Sequence, residues 1–409
     1  MLLRKKCANP SLCSGTQVQV KQMLEGLQGI IMKKNISEVY NPEIKLNIKI
    51  DGILLESALE GQQVNMATKG AITTYDPDHR TFMNNLISIF VNINDLETIN
   101  RLLVQIKSNN TAYIYRDFPF GYKIFLSSQK ELGSVIFQNE ITDIESIFFE
   151  DDLSKIEYEP SDKIVYLFRS NWSFGLYFNF QKKDSFDIIS KEIAYLYKVV
   201  AYRQIFEFLQ NDNVSIPFQE DGWFPFNALV RYENIYRLIT YYSQKKANIT
   251  DLELIKSAFS KERMEMLTER WWKNPIFESK KEILKCGIES YLRHDKQGYI
   301  NCIKVLVSEI EGILRFAFKD TISGRRIKPF LDELEEQGTS KYFTSYSLVF
   351  PYEFIDYLRN SIFANFDFSD DKIPQSRHAY SHGVADIDKY NWERSLQIIL
   401  TIDQILIFL

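Results

Sequence analysis

The run RHAYSHG, from Arg377 to Gly383, gathers the side chains of this sequence best suited to catalysis. His378 and His382 are four apart and share one face of a helix. Arg377 and His382 are five apart, about 140° of rotation and about 7.5 Å of rise on a straight helix. An arginine is long enough to reach round that angle. Local grammar predicts a two-turn helix over Gln375 to His382. Pro374 stands at its start, Ser376 caps it or lies in its first turn, and Gly383 suits the position just past its end. A short helix carrying one Arg and two His is poor core material, so something other than packing selected it.

Three readings of that helix compete. Its polar groups make interhelix hydrogen bonds and nothing more. Or His378 and His382, at i and i+4, ligate a metal. The Glu of a zincin pair is missing between them, and Asp386 and Asp388 are the only nearby extra ligands. The third reading, phosphate chemistry, is favoured. A neutral His can take the proton of an RNA 2′-hydroxyl as it attacks phosphorus, or protonate the leaving oxygen. A guanidinium fork pairs with the oxygens that gather charge in the phosphorane. That route needs no metal or cofactor, and DNA lacks the hydroxyl it uses.

The elements around the run are helical. GYINCIKVLVSEIEGILRFAF carries Tyr299, Ile303, Leu306, Ile310, Ile313 and Leu314 at helical spacing, with Glu309, Glu311 and Arg315 riding near that stripe. PYEFIDYLRNSIFANF is a further helix. A last helix starts near Lys389, with the stripe Trp392, Leu396, Ile399, Ile402, Leu406 and Leu409. It holds more apolar residues than one face needs, which favours a partner surface. Gln397, Asp403 and Gln404 interrupt it, and no run of about 18 apolar residues marks a membrane span.

R-x4-H followed by Gly, set between helices of a C-terminal bundle, resembles the HEPN superfamily (higher eukaryotes and prokaryotes nucleotide-binding). His378 fills the polar position that often follows the Arg of that signature. The IEGILR stretch, Ile310 to Arg315, is similar to part of the first bundle helix of such domains. The resemblance covers roughly Ile276 to Leu409. It implies a metal-independent RNA endonuclease with Arg377 and His382 as the catalytic pair. His378, Tyr380, Glu311 and Asp388 would support them. It also implies a homodimer through the C-terminal bundle, with two motifs lining one cleft. Many HEPN ribonucleases serve phage defence, toxin systems or RNA processing. Some members keep the fold without activity and act as nucleotide- or protein-binding modules.

The remaining chain reads differently. Residues 1–184 form a mixed α/β region with an antiparallel or mixed sheet, matched to no family and read as a sensor or regulator that meets a trigger or partner. A helical pattern runs from Val18 to Ile31. Strand patterns are KLNIKIDGILLESALEG, AYIYRDF, GYKIFLSS, SVIFQN, KIVYLFRS and FGLYFNF. HRTFMNNLISIFVNINDLETINRLLVQIK reads as helical. Residues 185–275 form a helical connecting region, and 276–409 the all-α HEPN-like domain. The fold class is therefore α+β. Trp271 and Trp272 at the end of the connecting region fit interdomain packing better than a platform for bases.

Composition sets the outer bounds. With 409 residues, 45% apolar and 25% charged, the chain is an ordinary folded protein rather than a disordered or collagen-like one. A net charge of −5 argues against a broad polyanion binder, so RNA contact must be local. Arg325, Arg326 and Lys328 form the basic exception and are candidate RNA contacts, although a solvated loop is the plainer reading. Four cysteines without CxxC spacing read as free thiols of a reducing cytoplasm. The opening MLLRKKCANPSLCSG has no apolar stretch to make it a signal peptide.

Overall fold

The computed structural model describes residues 42–118, 120–151, 154–156, 158–170, 172–181, 184–342, 346–365 and 373–409. The helix expected at Val18 to Ile31, and Cys7 and Cys13, lie outside them. The fold is α+β, with antiparallel sheets in the N-terminal region and a mostly helical C-terminal region. Two compact units divide the chain. The first takes the described residues of 1–124, 131–138 and 144–202, and the second those of 125–130, 139–143 and 203–409.

A six-stranded antiparallel sheet organises the first unit. Its strands are β1 (Glu43–Lys45), β2 (Lys69–Thr73), β3 (Arg101–Ile106), β4 (Ala112–Arg116), β5 (Lys163–Ser170) and β6 (Ser173–Asn179), in the order β1-β4-β3-β5-β6-β2. Alternation sends Leu102 and Val104 of β3, Val165 and Leu167 of β5, and Leu176 and Phe178 of β6 into one core. Phe82 and Met83 of helix α1 (His79–Asn85) and Leu86, Ile87 and Phe90 beyond it fill that core. Helix α2 (Phe186–Ala201) serves the opposite face, where Tyr197 meets Phe168 at 5.6 Å between centroids. Tyr177 there donates to Glu192 at 2.6 Å.

Three expectations for this unit need correction. LLVQI is not helical; it lies in β3, a central strand buried on both faces, whose apolar run looks like a buried helix. SVIFQN forms no strand and runs irregularly into a 3-10 turn at Gln138–Glu140. KLNIKIDGILLESALEG pairs only at Lys45, the end of β1, and at Ile53–Leu54. Meanwhile Lys69–Thr73 and Ile141–Phe148 are strands without a clear sequence signal.

The second unit is built from helices α3 (Arg203–Gln210), α4 (Asp212–Glu220), α5 (Asn227–Arg231), α6 (Asn234–Ser243), α7 (Ile249–Ala258), α8 (Lys261–Glu269), α9 (Pro275–Ser279), α10 (Lys281–Tyr291), α11 (Lys296–Ala317), α12 (Lys328–Tyr342), α13 (Pro351–Tyr357), α14 (Arg377–His382) and α15 (Trp392–Phe408). Two stretches with one helical period are each split in two. Glu233 in the left-handed region, φ 60°, turns α5 into α6. Ser260 caps α8 and separates it from α7. Asn274 caps α9, with Pro275 in its first turn. Gly287 of α10 lets α11 approach closely, because a Cβ there would run into the Leu306 side chain.

Helix α15 is the central rod of this unit. Leu396, Ile399 and Ile402 are fully buried, and so are Arg394, Gln397, Asp403 and Gln404. The polar groups that interrupt its apolar run are all used. Gln404 accepts from the Asn227 backbone N–H and donates to the Val349 carbonyl, both at 2.9 Å. Asp403 receives both arms of Arg270 and, at 2.8 Å, the indole N–H of Trp271. The apolar excess of α15 is thus covered within its own unit and supplies no argument for a partner. No helix among the described residues is long and apolar enough to cross a membrane.

Candidate active site

Helix α14 forms where its caps demand. Ser376 accepts a hydrogen bond from the Ala379 N–H, and Gly383 at φ 73° ends the helix in the left-handed region, a conformation glycine adopts without strain. The helix runs from Arg377, two residues later than the expected start at Gln375. Ala379 and Tyr380 are fully buried beneath it. Arg377 and His378 are half-buried, and His382 is exposed. Ala379 and Tyr380 pack inward, and His382 stands in solvent.

Three groups of α11 hold the segment from Arg377 to Ile387. Glu311 Oε2 pairs with Arg377 at 2.8 Å. The Lys304 ammonium donates to the Tyr380 carbonyl, and that of Lys296 to the Ile387 carbonyl at 2.6 Å. Lys296, Lys304 and Glu311 recur at eight and seven residues, close to two helical turns each, so one stripe of α11 carries all three. The segment lies antiparallel along that stripe.

A second support comes from α15. Arg394 is 1% exposed. Its guanidinium donates to the Gln375 carbonyl just before α14, donates to Gln397 Oε1 at 3.1 Å, and lies 5.8 Å from the Tyr380 ring centroid. Tyr380 meets Tyr390 edge-on at 5.1 Å and donates to the Lys389 carbonyl at 3.3 Å. Burial, foremost, keeps the Tyr380 phenol protonated well into the alkaline range. Tyr380 therefore anchors the helix and does not face outward with Arg377.

Glu311 also receives Arg315 Nε on its other oxygen, Oε1, at 2.6 Å. Arg315 in turn donates to the carbonyls of Gly324, at 3.0 Å, and Arg325. A chain of contacts thus runs from Arg377 through Glu311 and Arg315 to the basic loop. Arg325, Arg326 and Lys328 are exposed there, and Lys328 pairs with Asp332 at 2.6 Å.

No known protein family, curated protein or solved structure matches the chain.

The imidazoles of His378 and His382 lie nearly parallel, 10° apart, with centroids at 6.4 Å. Burial lowers the pKa of His378, and the neighbouring Arg377 and then His382 add to the shift, while Glu311 opposes it. These effects favour its neutral form. Among the described residues no group of three His, Cys, Asp or Glu is placed to hold a metal ion. Asp388 is exposed on a 3-10 turn, where its N–H donates to Asp386, and none of its contacts involves Arg377 or His382.

The structure thus joins Arg377 to Glu311, and His378 to His382, and leaves Asp388 apart. Sequence reading missed Arg394 and Lys304. Arg394 had a usable signal, a cation in the first turn of an otherwise apolar helix. Lys304 had none, since a lysine beside an apolar stripe is an ordinary surface residue. Of the remaining cysteines, Cys286 is exposed and Cys302 is buried, both as free thiols.

Proposed function

We propose that the second unit is a metal-independent RNA endonuclease of HEPN type, acting as a phage-defence or toxin effector gated by the N-terminal region. One observation carries this reading. Arg377, His378 and His382 share one short helix clamped by α11 and α15, with Arg377 held by Glu311 of α11 and His382 exposed. Fixed placement of an acid–base group and a guanidinium is what metal-free phosphoryl chemistry needs. In this mechanism His382 takes the 2′-hydroxyl proton or protonates the leaving oxygen. Arg377 pairs with the non-bridging oxygens of the phosphorane, and His378 orients Arg377 or the scissile phosphate. Glu311 orients Arg377, and the Arg325–Lys328 loop steers the flanking phosphates. A second copy, joined through the helical region, supplies the other half of the cleft.

The Arg377–Glu311 ion pair also favours a second reading, an inactive HEPN module, because the carboxylate neutralises the guanidinium that phosphate would need. Incubating purified wild type and His382→Ala with total RNA in EDTA separates the two. Cleavage by wild type alone supports the nuclease. Wild type that binds the RNA but leaves it uncut supports the binding module.

A further inference from the structure

Arg231 and Arg263 are neighbouring guanidinium groups of the second unit, and neither is ion-paired to a carboxylate among the described residues. Arg231 is the last residue of α5, and Tyr232 and Glu233 turn the chain into α6. Arg263, in α8, and Arg270, just past its end, are seven apart, two helical turns, and so share a face. Arg270 is closed by Asp403. Arg231 is not, although it is only 8% exposed. Its Nη1 donates to the Asn139 carbonyl at 2.8 Å, while its Nε is buried with no hydrogen-bond partner. Arg263 lies over the Tyr232 ring, and its Nε is likewise buried and unpartnered. The guanidinium carbon of Arg231 stands 5.3 Å from the centroid of that same ring. Among the described residues, no ion pair joins Arg231 or Arg263 to a carboxylate.

This corner therefore holds three arginines against one aspartate that is already paired. Burial, and after it the field of Arg270, lowers the pKa of Arg231 to about 10, and burial lowers that of Arg263 to about 10. Both remain cationic at neutral pH. Buried positive charge with unused donors is costly unless a counter-charge completes it.

We propose that Arg231 and Arg263, at the Tyr232 corner, bind the phosphoryl dianion of a small diffusible ligand. Charge selects the class. Two unneutralised guanidiniums match a phosphate dianion, whereas a carboxylate would leave one positive charge over. Donor chemistry agrees, since each guanidinium keeps an Nε–H without a hydrogen-bond partner and a guanidinium fork suits phosphate oxygens. This site is built from α5, α8 and the turn after α5, and does not depend on the reading given for α14.

Calorimetric titration of the full chain with inorganic phosphate, and separately with adenosine monophosphate, tests it. Because phosphate also suits Arg377, each titration is repeated in Arg377→Ala. Saturable binding should persist in Arg377→Ala and weaken by about 10-fold or more in Arg263→Gln. Arg263→Lys keeps the charge and the fold but loses the fork, and should weaken binding too. Equal affinity for both probes would identify the phosphate alone as the recognised group, and tighter nucleotide binding would identify a nucleotide. Absence of saturable binding, or binding that Arg377→Ala abolishes and Arg263→Gln leaves unchanged, would overturn the proposal.

Discussion

Arg377 of α14 and Glu311 of α11 form an ion pair of 2.8 Å, and Glu311 uses its second oxygen for Arg315. The side chains of Arg377 and Glu311 are 26% and 14% exposed, so solvent screens the pair only in part. A double-mutant cycle of Arg377→Ala and Glu311→Gln, read by urea unfolding, should give a coupling of about 1 kcal/mol, at the upper end for exposed pairs. Glu311→Gln should be the more destabilising single change, because it strands two arginines where Arg377→Ala strands none. A coupling near zero would mean that the pair is not formed in solution.

Arg394 holds α14 from below. Arg394→Met keeps the length and apolar stem but leaves the Gln375 carbonyl and Gln397 Oε1 without their donor. Loss of stability should be about 1–3 kcal/mol, the usual cost of orphaned buried polar groups. If α14 carries the chemistry, the variant should also lose RNA cleavage by a fall in kcat at temperatures where it is fully folded. Unchanged kcat would show that α14 seats itself without this support.

Asp403 should be the most sensitive polar position of α15. Its side chain is 2% exposed and answers both Arg270 and Trp271. Asp403→Asn leaves the Arg270 guanidinium unneutralised beside Arg231, and should cost about 3–5 kcal/mol. A denaturation midpoint within error of wild type would contradict this.

These residues also mark how far the sequence could be read. The caps of α14 were legible because Ser376 and Gly383 act within a few residues of themselves. The period of α11 was legible because one face of it meets a core. Asp403 and Gln404 were read as interruptions of an apolar helix, since their partners Arg270 and Asn227 lie 133 and 177 residues away. Such pairings leave no local trace. Strand β3 failed for a related reason, because burial on both faces erases the alternation that identifies a strand. The candidate site divided along the same line. RHAYSHG was visible as a string, but its attachment to Glu311, Lys304 and Arg394 depends on three helices meeting.

If the nuclease reading is right, Arg377→Ala and His382→Ala should each lower the cleavage rate by about 10²-fold or more. His378→Ala should cost less. Arg377→Lys should not rescue, since an ammonium offers Glu311 and a phosphate no shared planar fork. Cleavage should persist in chelator, leave a 2′,3′-cyclic phosphate or its hydrolysis product, and stop when the 2′-hydroxyl at the cut site is replaced by hydrogen. Activity surviving in the Arg377→Ala/His382→Ala double variant would place the active site elsewhere.

The last expectation concerns pH and follows from His378. Burial, then Arg377 and His382, lower its pKa from the ordinary value of about 6.5, against the opposing pull of Glu311. The folded chain therefore takes up this proton at lower pH than the unfolded chain does. Between the two pKa values the unfolded state binds more protons, so stability rises with pH across that window. The contribution is fully present above about pH 6.5 and declines as the pH falls through the folded value. Urea midpoints of wild type and His378→Gln, measured in steps from pH 7.5 to 5, should differ in slope. Wild type should lose stability more steeply on acidification, because the variant has no proton to take up at this position. Carboxylates common to both chains cancel in the difference. Parallel profiles would mean that the imidazole is not desolvated beside Arg377.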